Sequence, residues 1–344
     1  MPVPTDPPPS QSFLAELRDA IATRTFVLVV GVLLLQLAFI LSYVGAFHSP
    51  KPHRIPVALV APAQVAPQLA AKINAIPSTP LHVTVAASEA QALYDIKQVK
   101  SSAALIVNPA GTTDRLLVAS GGGSSVVTAV ETVVGQVEAS QQRAVTTTDV
   151  VPLQAGDNRG LTGFYLVIGW IVGGYLVAAL LGVAKGARPA NLRRAAIRLL
   201  SLVPYAVVSG LGGALIVDQV LGALTGHLLA LWGLGTLLVL ASATVTMAFE
   251  VLLGVLGIGV TVLFFVVLGN PSAGGAYQPS LLPPFWRAIG GALPNGAGTD
   301  AVRRIVYFDH CGLALPVIVI AIYAVVGTVA TLLASQYRLG IGAD

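Results

Sequence analysis

The chain has 344 residues, of which 55% are hydrophobic and only 10% charged, with a formal net charge of +4. Its mean hydropathy is +0.81. Soluble domains carry about 25% charged residues. The composition therefore argues against a globular cytosolic protein, a disordered chain and a nucleic-acid-binding protein. With a single cysteine, Cys311, the chain has no intramolecular disulfide and no thiolate metal site. We expect a membrane protein in contact with the lipid bilayer.

The N-terminal segment combines a tail and an amphipathic stretch. Residues 1–11 are rich in proline and predict a disordered tail. Phe13, Leu17 and Ile21 stand one turn apart, which predicts a helix at 12–25 lying on the inner leaflet. The alternative is a frayed tail next to the membrane.

Six runs lack Asp, Glu, Lys and Arg, and each has about the 20 residues that cross roughly 30 Å of hydrocarbon. All 19 Lys and Arg and all 15 Asp and Glu lie outside these runs. A large soluble core rarely contains six of them. The predicted transmembrane helices are 26–47, 161–184, 199–217, 228–249, 251–270 and 311–337.

The first run also resembles a signal peptide, because Arg18 and Arg24 precede it and Val44-Gly45-Ala46 resembles a cleavage site. Its 22 apolar residues exceed the usual h-region of about 7 to 15. An uncleaved signal anchor is therefore favoured.

Orientation follows from the basic residues, which concentrate in cytoplasmic loops. The segment between the second and third predicted helices contains five of them and no acid: Lys185, Arg188, Arg193, Arg194 and Arg198. This segment is predicted to face the cytoplasm. Six spans in a plasma membrane then put both termini, including the tail at 338–344, in the cytoplasm, and residues 48–160 and 271–310 outside.

The outer segment 48–160 is long enough to form a domain. The predicted strands are 54–60, 81–85, 103–107 and 115–119, and the predicted helices are 64–76, 88–99 and 126–144. Ser88 and Gln91 match a capping box at the second of these helices. Residues 145–151 are expected to lead back to the membrane. The alternation predicts a small α/β domain with a mainly parallel sheet, inserted between the first two membrane helices.

The segment 271–310 is too polar to be a span and is expected to form an outer hairpin. A short re-entrant or interfacial helix is predicted after Pro283 and Pro284, with Phe285 and Trp286 at the water boundary. The hairpin is either an interfacial plug or a lid over an exit path.

A second short helix in the hairpin is expected to be capped by Thr299 or Asp300 and to carry Arg303 and Arg304. Arg287 is expected to pair with Asp300 or Asp309 across the hairpin.

Residues that would carry catalysis are sparse. Ser209-Gly210 lacks the Gly-x-Ser pattern, and His48, His53 and His82 have no zinc-ligand spacing. These 344 residues contain no G-x-x-x-x-G-K-[ST] motif. No catalytic, cofactor or metal site is expected, and the chain is not expected to be an enzyme.

The predicted spans contain no ionisable group that would couple transport to protons or sodium. Uphill transport would then draw energy from a cytoplasmic partner. The basic loop between Lys185 and Arg198 either docks such a partner, as a short helix at 192–199, or only sets topology and contacts anionic lipid.

One span, an outer α/β domain, five more spans and a hairpin before the last span together resemble the membrane component of ABC type 2 exporters. Three motifs are similar to the actinobacterial branch related to phage-infection proteins, the YhgE/Pip group: Gly269-Asn-Pro-Ser-Ala-Gly-Gly275, Leu282-Pro-Pro-Phe-Trp286 and Leu293-Pro-Asn-Gly-Ala-Gly298. The segment from Ala103 to Asn108, with the strand and long helix that follow, is similar to that family's outer domain. The resemblance covers nearly the whole chain.

The resemblance implies a homodimer that pairs with separate ATP-binding subunits, so that ATP enters only through a partner. The implied docking surface comprises Phe13, Leu17, Ile21, Lys185, Arg188, Arg193, Arg194 and Arg198. The outer domain is much shorter than in the larger members, which argues against a receptor or long-scaffold role.

Two functions are therefore expected. The first is an exporter permease that moves a lipid-like or amphipathic solute or an envelope precursor outward. The second is an accessory envelope membrane protein, without a transport cycle, whose outer domain binds a partner.

Overall fold

The computed structural model describes the backbone of residues 23–341 and the side chains of residues 26–336. The predicted tail at 1–11, the apolar residues Phe13, Leu17 and Ile21, and residues 342–344 lie outside the described residues. The helices are α1 (Thr23–Phe47), α2 (Ala66–Asn74), α3 (Glu89–Lys97), α4 (Ser124–Ser140), α5 (Thr162–Lys185), α6 (Leu192–Val220), α7 (Leu228–Leu253), α8 (Leu256–Ser272), α9 (Pro284–Gly290), α10 (Pro294–Tyr307) and α11 (Ala314–Ile341). The strands are β1 (Ile55–Val60), β2 (Leu81–Val85), β3 (Ala103–Ile106), β4 (Thr113–Val118) and β5 (Ala144–Asp149).

Within the described residues, five helices are long and apolar enough to cross a membrane. They are Phe26–Phe47, Thr162–Lys185, Leu192–Val220, Leu228–Leu253 and Ala314–Gln336. The mostly helical chain is thus membrane-embedded, with a small α/β sheet in addition.

The remaining apolar helix, α8, has 17 residues and is shorter than the other five. Its middle section, Leu263–Gly269, is a π-helix, in which each N–H bonds the carbonyl five residues earlier. Pro271 follows two residues later and has no N–H to donate.

Several helix boundaries differ from those expected. α6 begins at Leu192, not at 199, so the separate short helix at 192–199 is wrong: its first turns carry the basic residues as part of a long helix. α7 continues to Leu253, where Gly254 adopts a φ of +66° and turns the chain. Glu250 is therefore inside α7, and the expected division between the fourth and fifth runs is wrong. α11 begins at Ala314, so Cys311 lies in the preceding turn.

The five-stranded sheet has the order β2-β1-β3-β4-β5. β1 pairs in parallel with β2 and β3, β4 runs antiparallel to β3, and β5 is parallel to β4. One face, including Leu59 and Leu105, packs on α2 and α4, and the other packs on Ile96 of α3 and on Phe308. We call residues 55–149 the sheet unit.

The edge strand β5 was expected to be a connecting segment. Its sequence, Ala-Val-Thr-Thr-Thr-Asp, has little apolar alternation, and its residues are mostly exposed. The full ladder with β4, from Thr113 and Ala144 to Val118 and Asp149, forms it instead. An edge strand needs backbone pairing on one side only, so a hydrophobic pattern is not required.

α7 is the central helix of the bundle and packs against α5, α6 and α11. The core around it includes Trp170, Leu238 and Phe265, together with Val302 and Ile305 of α10. α1 is peripheral and contacts the bundle through α8. Most of its apolar side chains are exposed.

The bundle has two distinct ends. At one, which we call the sheet end, the Thr162 amide of α5 donates to Asp157 Oδ1 at 3.0 Å, and the Thr225 amide donates to Gln154 Oε1 at 2.7 Å. At the other, which we call the basic end, the turn at Gly254 lies beside Arg188. The hairpin lies at the sheet end.

A buried charged cluster connects α4 to strand β4 in the sheet unit. Arg143 Nε donates to Asp114 Oδ2 at 2.8 Å, and the Asn108 amide donates to Asp114 Oδ1 at 2.7 Å. Burial opposes ionisation of Asp114, but these hydrogen bonds outweigh it and lower its pKa. Glu138 Oε2, 3.6 Å from Arg143 Nε, has no hydrogen-bond partner. Burial and the neighbouring Asp114 carboxylate raise the pKa of Glu138 to about 7.

This cluster predicts a pH-dependent stability. Glu138 binds its proton more tightly in the folded than in the unfolded chain, so the free energy of unfolding falls as pH rises from about 4.5 towards 7. The Asp114 contribution is lost only at lower pH. We expect Glu138→Gln to remove this slope. The stability of the variant relative to wild type should therefore be higher at pH 8 than at pH 5, by at most about 3 kcal/mol.

The measurement is thermal unfolding of the full-length protein in detergent at pH 5 and pH 8. Unfolding of the sheet unit is monitored by its susceptibility to proteolysis. Glu131→Gln, at a half-buried position on the same helix, is the matched control. An equal difference between wild type and Glu138→Gln at both pH values would show that Glu138 does not titrate in this range.

Candidate functional site

The hairpin is attached to the first membrane helix through Trp286. Its indole Nε1 donates to Ser42 Oγ at 3.2 Å, and its ring lies so close to Gly45 that a Cβ there would be 2.8 Å from the ring carbon Cη2. Trp286 therefore packs against α1, a contact that the sequence did not predict. Phe285, which stacks edge-on against it, remains 54% exposed.

Ser42 in turn bonds α8. Its Oγ donates to Val267 O at 2.5 Å, and Tyr43 Oη donates to Val266 O at 3.4 Å. Val267 and Val266 lie four and five residues before Pro271. The N–H of residue 271 would bond the carbonyl of Val267 in an α-helix and that of Val266 in a π-helix, but proline has no N–H. One missing N–H leaves one of these two carbonyls without its helical partner, and the hydroxyl groups of α1 reach both carbonyls.

Asn295, in the first turn of α10, adds a buried bond to the same helix. Its Nδ2 donates to Phe265 O at 3.0 Å and to Asn270 Oδ1 at 2.8 Å. Its Oδ1 has no partner. α10 begins at Pro294, five residues before the expected cap at Thr299, and this earlier start puts Asn295 against the π-helix.

The charged residues of the hairpin pair differently from the expectation. Arg304 Nε donates to Asp300 Oδ2 at 2.7 Å, and its Nη1 donates to Cys311 O at 2.9 Å. Arg303 Nη2 donates to Gly274 O at 2.6 Å. Among the described residues Arg287 forms no ion pair, so its expected pairing with Asp300 or Asp309 is wrong.

Two cavities of about 260 Å³ each adjoin these residues. The helix cavity lies between the hairpin and α11, and its lining includes Ser272, Gly290, Gly296, Leu315, Pro316 and Val319. The sheet cavity lies between the hairpin and the sheet unit, and its lining includes Ser101, Ser102, Gly122, Gln278, Ser280 and Phe308. Pro279, Asp300 and Arg303 line both, so the two cavities meet at these residues.

The sheet unit is joined to the hairpin by side-chain contacts. Ser125 Oγ donates to Gln278 Oε1, and Cys311 Sγ lies 3.1 Å from Gln98 Oε1. Tyr307 Oη donates to Asp157 Oδ2 at 2.8 Å, and burial together with this carboxylate raises the pKa of Tyr307. Hairpin, sheet unit and bundle are thus in direct contact around the two cavities.

At the basic end, Asn191 Oδ1 accepts the Arg194 amide at 2.8 Å and caps α6. Arg193 and Arg194 project from the first turn as exposed side chains, and Lys185 and Arg188 are exposed too. Arg198 differs from them, although the sequence places all five together. Its guanidinium donates to Lys185 O and Gly186 O, both at 2.8 Å, and so caps the end of α5.

Glu250 is a buried carboxyl that sequence reasoning missed. It is 2% exposed, its Oε1 has no hydrogen-bond partner, and Gly182 of α5 lies against it, where a Cβ would be 2.5 Å from Oε2. The available signal was a single acidic residue between the predicted spans 228–249 and 251–270. The expectation that the spans lack ionisable groups is therefore wrong, since Asp218 near the end of α6 is buried as well.

Among the described residues, no group of three or more His, Cys, Asp or Glu is arranged to hold a metal ion. The rings of His227 and His310 lie 6.2 Å apart at the sheet end. Comparison with family models, with curated proteins and with solved structures finds no match to this chain.

The packing of Trp286 predicts a large effect of its truncation. Trp286→Ala removes the ring from Gly45 and the hydrogen bond to Ser42, and we expect a loss of about 3 to 5 kcal/mol in unfolding free energy. Phe285→Ala, the matched control on the exposed neighbour, should cost less than about 1 kcal/mol.

The measurement is thermal unfolding of both purified variants in the same detergent, together with their abundance in membranes. Equal melting temperatures of the two variants would contradict an anchoring role for Trp286 and favour a lid that is free to move.

Proposed function

We propose that the chain is the membrane-spanning subunit of an ABC type 2 exporter, moving a lipid-like or amphipathic solute or an envelope precursor outward with energy from a separate ATPase. The observation that carries this proposal is the start of α6 at the basic end. Arg193 and Arg194 are exposed there on a capped helix, and neither side chain has a partner among the described residues. Such a surface suits an acidic patch on a cytoplasmic protein.

The proposed topology has six spans, with α8 as the fifth. At 1.5 Å per residue its 17 residues cover about 25 Å, near the lower limit for crossing. Both termini and the basic end are then cytoplasmic, and the sheet unit and hairpin face outward. The direct contact between α8 and α1 through Ser42 supports a membrane depth for α8.

The two cavities at the sheet end support the proposal of export. The helix cavity borders α11, whose Leu315 is 70% exposed, and the sheet cavity borders polar residues of the sheet unit. A solute with an apolar and a polar part could place the apolar part in the helix cavity and the polar part in the sheet cavity. We propose a homodimer as the working unit, with exposed apolar faces of α1 and α5 covered by lipid or by the second subunit.

The topology predicts which engineered cysteines can be labelled from outside. In a Cys311→Ser background, which keeps a hydroxyl donor for Gln98, we introduce Thr113→Cys in the sheet unit and Ala190→Cys at the basic end. Both positions are exposed. A membrane-impermeant maleimide added to intact cells should label position 113 and not 190.

Permeabilised cells provide the control, in which both positions should be labelled. Labelling of position 190 in intact cells would overturn the orientation.

The docking surface predicts the effect of charge reversal. With Arg193→Glu and Arg194→Glu together, we expect at least a tenfold loss of the ATPase activity that co-purifies with the chain, because two attractive contacts become repulsive. Membrane insertion should persist, since Lys185, Arg188 and Arg198 still mark the inner face.

The matched control reverses two exposed lysines of the sheet unit, Lys72→Glu and Lys97→Glu, and should leave the activity unchanged. Well-folded wild-type protein from which no ATPase co-purifies would favour the accessory envelope protein instead. An ATPase unaffected by the reversal would leave the basic residues with a topological role alone.

A further inference from the structure

The junction of the two cavities contains a cation without a counterion in contact. Arg303 donates from one nitrogen to the carbonyls of Gly274 and Gly275, at 2.6 and 3.4 Å. No carboxylate oxygen of the described residues lies within 4.0 Å of its guanidinium. A guanidinium has five N–H donors, so most of its hydrogen-bonding capacity remains open towards the cavities it lines.

The carboxylates near Arg303, those of Asp300 and Asp157, already accept hydrogen bonds from other groups. Asp300 Oδ2 accepts from Arg304, whose second bond goes to Cys311 O. Asp157 accepts from Tyr307 Oη and from the Thr162 amide.

Burial lowers the pKa of Arg303, and Asp300 and Asp157 act against that shift. Because a guanidinium is a very strong base, Arg303 stays charged in its half-buried position. Its free energy would fall on contact with an anion, since hydrogen bonds between ions in such surroundings are strong.

The surroundings of Arg303 are divided by polarity. On the sheet side the cavity offers hydroxyl and amide groups, including Ser101, Ser102 and Gln278. On the helix side it offers Leu315 and Val319 of α11. Leu315 is 70% exposed, so this side opens towards the apolar exterior of the bundle.

We propose that this junction binds an amphiphile with a phosphate head group. The phosphate lies on Arg303, its polar substituents extend into the sheet cavity, and its apolar chain lies along Leu315 and Val319. A phosphate presents several acceptor oxygens to the planar guanidinium, which suits bidentate contact. That this ligand is the exported solute rests on the proposed function, whereas its binding does not.

The test uses the full chain purified in an uncharged detergent, without an ATPase, and native mass spectrometry. The probes are phosphatidic acid with eight-carbon chains, the corresponding diacylglycerol, which lacks the phosphate, and inorganic phosphate. We expect phosphatidic acid to bind and the diacylglycerol to bind at least tenfold more weakly. Arg303→Gln should weaken phosphatidic acid roughly 10- to 100-fold, and Arg303→Lys less.

Arg287→Gln is the matched control, because Arg287 is on the same hairpin but lines neither cavity. It should change the affinity less than twofold. Equal losses for Arg287→Gln and Arg303→Gln would overturn the proposal in favour of nonspecific charge attraction.

A second variant protects the test against misfolding, since Arg303 also holds the Gly274 carbonyl. Val319→Phe fills the helix cavity and leaves Arg303 intact, and it should weaken phosphatidic acid but not inorganic phosphate. If inorganic phosphate binds wild type as tightly as phosphatidic acid, and Val319→Phe changes neither, the junction is a site for free phosphate and the amphiphile is excluded. If phosphatidic acid binds as expected but no ATPase co-purifies with the protein, the binding site is supported and the proposed transport function is rejected.

Discussion

The missing N–H of Pro271 constrains the whole sheet end of the bundle. Where a helix is shielded from water, as α8 is at the buried Val267, each open carbonyl costs free energy unless a donor reaches it. The donors here are Ser42 and Tyr43 of α1, which otherwise has few contacts with the bundle. Ser42 and Tyr43 thus bind α1 to the segment of α8 that precedes Pro271.

The same constraint extends outward into the hairpin. Ser42 accepts from Trp286 while it donates to Val267, so one hydroxyl joins α1, α8 and the hairpin. Asn295 bonds α8 from the opposite side of the hairpin through Phe265 O. Each of the two short helices of the hairpin is thus bonded to the membrane helices, α9 through Trp286 and α10 through Asn295.

The sequence predicts features whose signal is local. Apolar β-branched runs indicated the strands around Leu59 and Leu105, and the proline pair at Pro283 and Pro284 indicated the start of α9, because each pattern lies within a few residues. The capping box at Ser88 is half right: its Oγ accepts the Gln91 amide at 3.2 Å, while the Gln91 side chain bonds Asp95.

Features that depend on distant partners were not predictable. Trp286 is an interfacial residue by type, and its contact with Ser42 joins positions 244 residues apart. Glu250 lies between the predicted spans 228–249 and 251–270, because those runs were chosen to contain no charged residue. The helix continues because Gly182 on a neighbouring helix leaves room for the carboxyl group. Composition along one helix carries no information on what faces it.

At the basic end, three helix termini meet around that carboxyl group. Arg198 caps the last carbonyls of α5, and its charge acts on Glu250 of α7. Arg194 stands one turn earlier on the same helix and is exposed. A buried carboxyl group depends strongly on the position of a nearby cation, because little water screens the pair. A displacement of the first turns of α6 therefore changes both the cap of α5 and the surroundings of Glu250. Arg198 thus links the start of α6 to the end of α5 and to the buried carboxyl group of Glu250.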